Sequence, residues 1–132
     1  MNLQPVIVDN DDILCFLINK LLKLSGFPSP IWFLSGGDAL ERIKKEQNSD
    51  TTYAIFLDIN MPEMNGWQFI EHLESITFKS KYFIYIITSS VDDRDKVKAY
   101  QYKSVYNYYV KPLKQNDFEL LKKSPELRPF FK

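Results

Sequence analysis

The sequence predicts an α/β fold: a doubly wound parallel sheet with helices on both faces. Three observations predict it. Short apolar runs alternate with stretches of helical periodicity five times along the chain. The runs lack the in–out alternation of a half-exposed sheet, so both faces of each strand are covered. Buried strands that alternate with helices join as parallel units. A length of 132 residues suits one domain over residues 1–132 with one core.

Each element has its own signal. PVIVD (5–9) is the first buried strand. DILCFLINKLLKL (12–24) carries apolar residues at helical spacing, with Asp12 as its expected N-cap and Ser25-Gly26 as its end. Cys15 sits inside that apolar pattern and reads as a small core residue. PIWFL (30–34) is a further strand, and residues 37–47 are the second helix. YAIFLD (53–58) is the third strand, and Asn65 caps a helix over 66–76. YFIYIIT (82–88) precedes a helix over 92–102, where Asp92 and Asp93 suit the positive helix end. YNYYVK (106–111) is the last strand, and 115–123 the last, short helix. His72, the only histidine, falls at an exposed position of the third helix.

Composition excludes several classes. Lys+Arg and Asp+Glu both number 17, which argues against nucleic-acid binding. One cysteine allows neither an intrachain disulfide nor a cysteine-rich metal site. MNLQPVIV has no basic region and is no signal peptide. No apolar run approaches the ~20 residues of a membrane span, so no membrane association and a cytoplasmic location are expected.

In a parallel sheet of this kind, ligands bind beyond the carboxyl ends of the strands. Asp9, Asp58, Thr88 and Lys111 end four different strands and so share one edge. Two carboxylates there, with Asn10 beside them, call for a divalent cation, and hard oxygen ligands suit Mg²⁺. Lys111 adds a fixed positive charge and Thr88 a hydroxyl donor. A metal, an ammonium and a hydroxyl around one carboxylate are the parts that stabilise a phosphoryl group in transfer. The central carboxylate would be the nucleophile, and Asp58, entering the loop Asn60–Gly66, is the better placed.

With these residues in view, the chain resembles the receiver domains of two-component response regulators. VIVDN resembles their first strand with its acidic pair, FLDINMPEMNGW the phosphoacceptor loop, and IITSS and YYVKP the two later signature strands. The resemblance covers nearly the whole chain. It implies a flavodoxin-like five-stranded sheet of order 2-1-3-4-5 with five helices. It implies that Asp58 takes a phosphoryl group from a histidine kinase or histidine phosphotransfer protein. Asp9 and Asn10 would hold Mg²⁺, with Asp58 and the backbone carbonyl of Asn60 completing the site. Thr88 and Lys111 would contact the phosphoryl oxygens, and Tyr108 would be the switch aromatic. The Lys111–Pro112 bond is commonly cis in this family. The expected output is a surface of the helix at 92–102, the strand at 106–110 and the helix at 115–123, binding a partner or a second copy. Tyr106, two residues before Tyr108, is expected on the same side as Tyr108.

The chain departs from the family pattern at Asn10, where an acid is usual. One formal charge is lost, and Asp11 and Asp12 are the neighbours able to restore it. The glycine often found before the fifth strand is also absent. The expectation is a stand-alone receiver without an output domain. It would accept and slowly release its own phosphoryl group, and would not turn over an external substrate. The alternatives are the receiver portion of a longer hybrid kinase or regulator, and a degenerate receiver that binds without phosphate.

Overall fold

The computed structural model describes residues 2–131; Met1 and Lys132, the ends of the expected domain, lie outside them. Strands β1 (Asn2–Val8), β2 (Ile31–Phe33), β3 (Thr51–Asp58), β4 (Lys81–Thr88) and β5 (Val105–Val110) form one parallel sheet, ordered β2-β1-β3-β4-β5. Helices α1 (Asp12–Leu24), α2 (Gly36–Glu46), α3 (Gly66–Glu74), α4 (Asp93–Ala99) and α5 (Gln115–Leu121) connect and follow the strands. The strand order and the helices are those expected.

Alternate strand residues feed two cores. Val6, Val8, Ile55, Leu57, Ile84 and Ile86 pack under α2, α3 and α4. Ile7, Phe56, Tyr85 and Ile87 pack under α1 and α5. Burying each such side chain contributes roughly 1.5–3 kcal/mol, and this burial, more than strand propensity, fixes which way each strand faces. The strand expected at 30–34 is shorter, Ile31–Phe33, and the others begin earlier than expected; Asn2 and Thr51 pair across the sheet although their sequence is polar.

Three local features differ from expectation, and a fourth lies beyond the last expected element. The N-cap of α1 is Asp11, not Asp12: the Asp11 carboxylate accepts from the N–H groups of Ile13 and Leu14. Helix α4 stops at Ala99, three residues short, because Tyr102 leaves the helical path and stacks on Trp67. The register shifts by one residue where Ile84 pairs with Val105 and Tyr85 with Asn107. That bulge undoes the simple alternation. Tyr106 therefore packs edge-on against Phe83 of the α1/α5 core, whereas Tyr108 packs on the opposite core. Finally, the chain beyond α5 is part of the core. Leu127 is fully buried, and the Phe131 and Phe27 rings lie 4.8 Å apart. The turn before β5 closes without glycine, through Val105 N–H donating to Tyr102 O and Ser104 Oγ to Glu74.

Candidate functional site

The sheet register builds the site. Val8 pairs with Leu57, so Asp9, one step beyond β1, stands beside Asp58 at the end of β3. Thr88 pairs with Val110, so Lys111 follows just past the edge, its N–H donating to Thr88 O. Lys111 Nζ lies 2.9 Å from Asp9 Oδ2 and 3.8 Å from Asp58 Oδ2. Asp9, Asp58 and Thr88 are buried; Asn10 and Asn60 are exposed at the rim. The Lys111–Pro112 bond is cis.

Backbone donors hold the two carboxylates. Asp9 Oδ1 accepts from the N–H of Asp11, and Asp58 Oδ1 from the N–H of Asn60 at 3.2 Å. Burial, and then the charge of Asp9, push the Asp58 carboxyl above its ordinary value. The N–H groups of Asn60 and Ile59 and the Lys111 ammonium oppose that rise. Two carboxylates face one ammonium, so the site keeps an excess of negative charge.

Its donor set, carboxylate and amide oxygens without sulfur or imidazole, fits a hard divalent cation. Among the described residues no three His, Cys, Asp or Glu side chains cluster as metal ligands. Asn10 explains that in part. Asp11 follows it directly, with Oδ1 engaged in capping α1.

The phosphoacceptor-like loop is closed by contact. Gly66 N–H donates to Ile59 O, and a Cβ at Gly66 would stand 2.6 Å from Ile59 Cα and 2.8 Å from Asp58 O. Gly66 is thus required for close approach and not for a positive φ. The left-handed residue is Glu63, at φ 65°.

Thr88 touches the rest of the site through the following loop. Its Oγ1 accepts from Ser90 N–H at 3.1 Å. Ser90 O in turn accepts from the half-buried Tyr108 hydroxyl at 3.4 Å, and Ser90 Oγ donates to Asp95 at 2.7 Å. Ser90 therefore links the end of β4 to β5 and to α4. Sequence reasoning missed it; the TSS run after the strand was the available signal. Cys15 donates to Asp9 O, and burial pushes its thiol up to about 12, which fits a structural role. His72 is exposed on α3, away from any hydrogen-bonded site group.

A family model for the response regulator receiver domain matches residues 6–122. A hybrid signal transduction histidine kinase L of Dictyostelium discoideum is 31% identical over 124 residues, covering 91% of this chain. The chain spans only 7% of that relative's length. Among solved structures, a two-component response regulator from Cytophaga hutchinsonii matches at TM-score 0.80 with 27% identity, covering 96% of this chain and 97% of that one. A response regulator receiver protein from Dyadobacter fermentans matches at TM-score 0.81 with 27% identity, over 92% and 95% of the two chains.

Proposed function

Because this chain belongs to the response regulator receiver domain family, we propose that it is a phosphorylation-controlled switch in which Asp58 is the phosphoacceptor. The observation that carries this reading is one ammonium, Lys111 Nζ, set 2.9 Å and 3.8 Å from two buried strand-end carboxylates. The donor is a histidine kinase or histidine phosphotransfer protein. Asp58 Oδ1 is engaged by Asn60 N–H, which leaves Oδ2, facing Lys111, to attack phosphorus. The new bond is Asp58 O–P; the bond lost is histidine N–P, and the freed imidazole takes a proton from solvent. Lys111 and the Thr88 hydroxyl steady the charge on the phosphoryl oxygens.

Asp9, Asp58, Asn10 and the backbone carbonyl of Asn60 would hold Mg²⁺, which neutralises charge between phosphoryl group and carboxylates when bound. The protein accepts and slowly releases its own phosphoryl group in the cytoplasm, and turns over no external substrate. Equal numbers of basic and acidic residues favour a protein partner over nucleic acid; among the described residues no helix is long and apolar enough to cross a membrane.

The signal leaves through β5. Movement of Thr88 towards a phosphoryl oxygen pulls on Ser90, and Ser90 O is the acceptor of Tyr108. The output surface is then α4, β5 and α5, which would bind a downstream partner or a second copy. The likeness to a hybrid histidine kinase supports a second reading, that this receiver serves within a longer protein.

Acetyl phosphate with Mg²⁺, followed by intact mass, tests the function. The wild type gains one phosphoryl group and Asp58→Asn gains none. Equal labelling of both would remove Asp58 as the acceptor, and no labelling of either would favour a degenerate receiver.

A further inference from the structure

The first turn of α4 differs from those of α3 and α5. In α3 and α5 the third helical residue turns back on the cap. Gln68 accepts from the N–H of Asn65 at 2.9 Å, and Asp117 from the N–H of Lys114 at 2.8 Å. That reciprocal bond is the ordinary use of a polar side chain at this position. Asp95 is the third residue of α4, after the cap Asp92, and is half-buried. It does not close the bond. The N–H of Asp92 donates to Ser90 Oγ at 3.2 Å instead, and Ser90 Oγ donates to Asp95 Oδ2 at 2.7 Å. The Ser90 hydroxyl is thus interposed, an acceptor on one side and a donor on the other. Arg94, the cation beside Asp95 in the chain, pairs with Asp92.

The backbone of Ser90 has two further bonds. Its N–H donates to Thr88 Oγ1 at 3.1 Å, and its carbonyl accepts from the Tyr108 hydroxyl at 3.4 Å. The first bond is at the acceptor site and the second reaches β5. A loop residue with a free side chain would absorb a pull on its N–H in its own torsions. A residue whose hydroxyl is fixed to a helix turns about that point and carries the pull to its carbonyl. The Tyr108 bond is longer than the roughly 2.5–3.0 Å usual for a hydroxyl donor, so a small turn of Ser90 makes or breaks it.

We infer that Asp95 is a positioning residue of the switch: by fixing Ser90 Oγ, it makes Ser90 the pivot that joins Thr88 to Tyr108. This role rests on the reading of Asp58 as phosphoacceptor. The Asp95 bond is charge-assisted and so the stronger of the two contacts to the hydroxyl. Asp95 acts through Ser90 and not on the phosphoryl group.

Amide exchange with and without acetyl phosphate and Mg²⁺, run beside intact mass, tests this on the wild type, Asp95→Ala and Asp95→Asn. All three chains should gain one phosphoryl group, because Asp95 lies outside the acceptor site. In the wild type, labelling should change exchange over residues 105–110. In Asp95→Ala that change should fall at least about fivefold, the low end of an allosteric coupling. Asp95→Asn removes the charge but keeps an oxygen for the Ser90 hydroxyl, so it should recover most of the wild-type response. A carboxylate that merely stabilised the start of the helix would be missed equally in both variants. Asp95→Asn behaving like Asp95→Ala would therefore overturn the role. A labelled Asp95→Ala with a full response over 105–110 would overturn it too, leaving Asp58 as acceptor untouched. A wild type that takes no phosphoryl group would overturn the switch, and this role with it.

Discussion

Ionising Asp58 runs against the preference of its surroundings, since burial and Asp9 both favour its protonated form. The folded-state pKa lies above the unfolded one, so the native state binds the extra proton. Its contribution to stability is fully present below the ordinary carboxylate range, near pH 4, and is lost as pH rises through the raised value. Without divalent cation, Asp58→Asn should therefore melt a few degrees above wild type at pH 7. The gap should close as pH falls towards 4. Melting curves in chelator at both pH values check this, and a variant that melts below wild type at pH 7 would contradict it. Asn10 bears on the same charge. Asn10→Asp should tighten Mg²⁺ binding by about tenfold, ~1.4 kcal/mol, in a fluorescence titration. Asp9, Asp58, Thr88 and Lys111 were legible because each ends an apolar run. Ser90 was not, because its role depends on two hydrogen bonds across loops that no periodicity encodes. Asp11 rather than Asp12 caps α1 for a similar reason: adjacent aspartates look alike until the first helical N–H groups choose one.

At the scale of elements, the start of α3 matters most for the site. Asn65 and Gln68 form a reciprocal capping box, with both hydrogen bonds at 2.9 Å. Asn65→Ala should cost about 1 kcal/mol in denaturant unfolding. Gly66→Ala should cost about 2 kcal/mol or more, since the added carbon meets backbone that cannot yield without moving Asp58. It should also slow labelling by acetyl phosphate, whereas Asn65→Ala should affect labelling less. The strands and helices themselves were readable from burial and spacing. Their limits were not always so. Helix α4 ends early because Tyr102 finds Trp67, and the bulge in β5 arises from cross-strand pairing. Neither is a property of the local sequence. The bulge also leaves Tyr106 exposed, edge-on to Phe83, while Tyr108 packs on the opposite side and is tied to the Ser90 loop.

Across the whole molecule, two couplings can be tested. The Thr88–Ser90–Tyr108 chain predicts that phosphorylation changes amide exchange over residues 88–110, beyond the site. Tyr108→Ala should leave labelling intact and confine the change to the neighbourhood of Asp58; an unaltered exchange pattern in that variant would remove Tyr108 from the path. The second coupling runs through the end of the chain. Tyr85 of β4 donates to Glu126 at 2.8 Å, and Leu127 is fully buried beside α1 and α5. Leu127→Ala should cost about 2–4 kcal/mol in denaturant unfolding, as a core truncation does. The sequence after α5 gave little notice of this, because the short stretch around Pro125 carries neither strand nor helix periodicity. It turns back because the aromatic core left by Phe27, Phe56 and Phe118 is open there until Phe131 closes it.

Trp67 follows Gly66 directly, lies 6.0 Å from Tyr102 at an interplanar angle of 15°, and has Lys98 Nζ 5.0 Å over its ring. One indole thus touches the start of α3, the last turn of α4 and the turn into β5. Its emission wavelength and lifetime depend on how that ammonium and that phenol are arranged around it. Trp32 is the other tryptophan in the chain, so Trp32→Phe leaves a single tryptophan, excited apart from the tyrosines at long wavelength. The protein then contains its own optical gauge of the arrangement of α3 against α4, readable in real time without a dye.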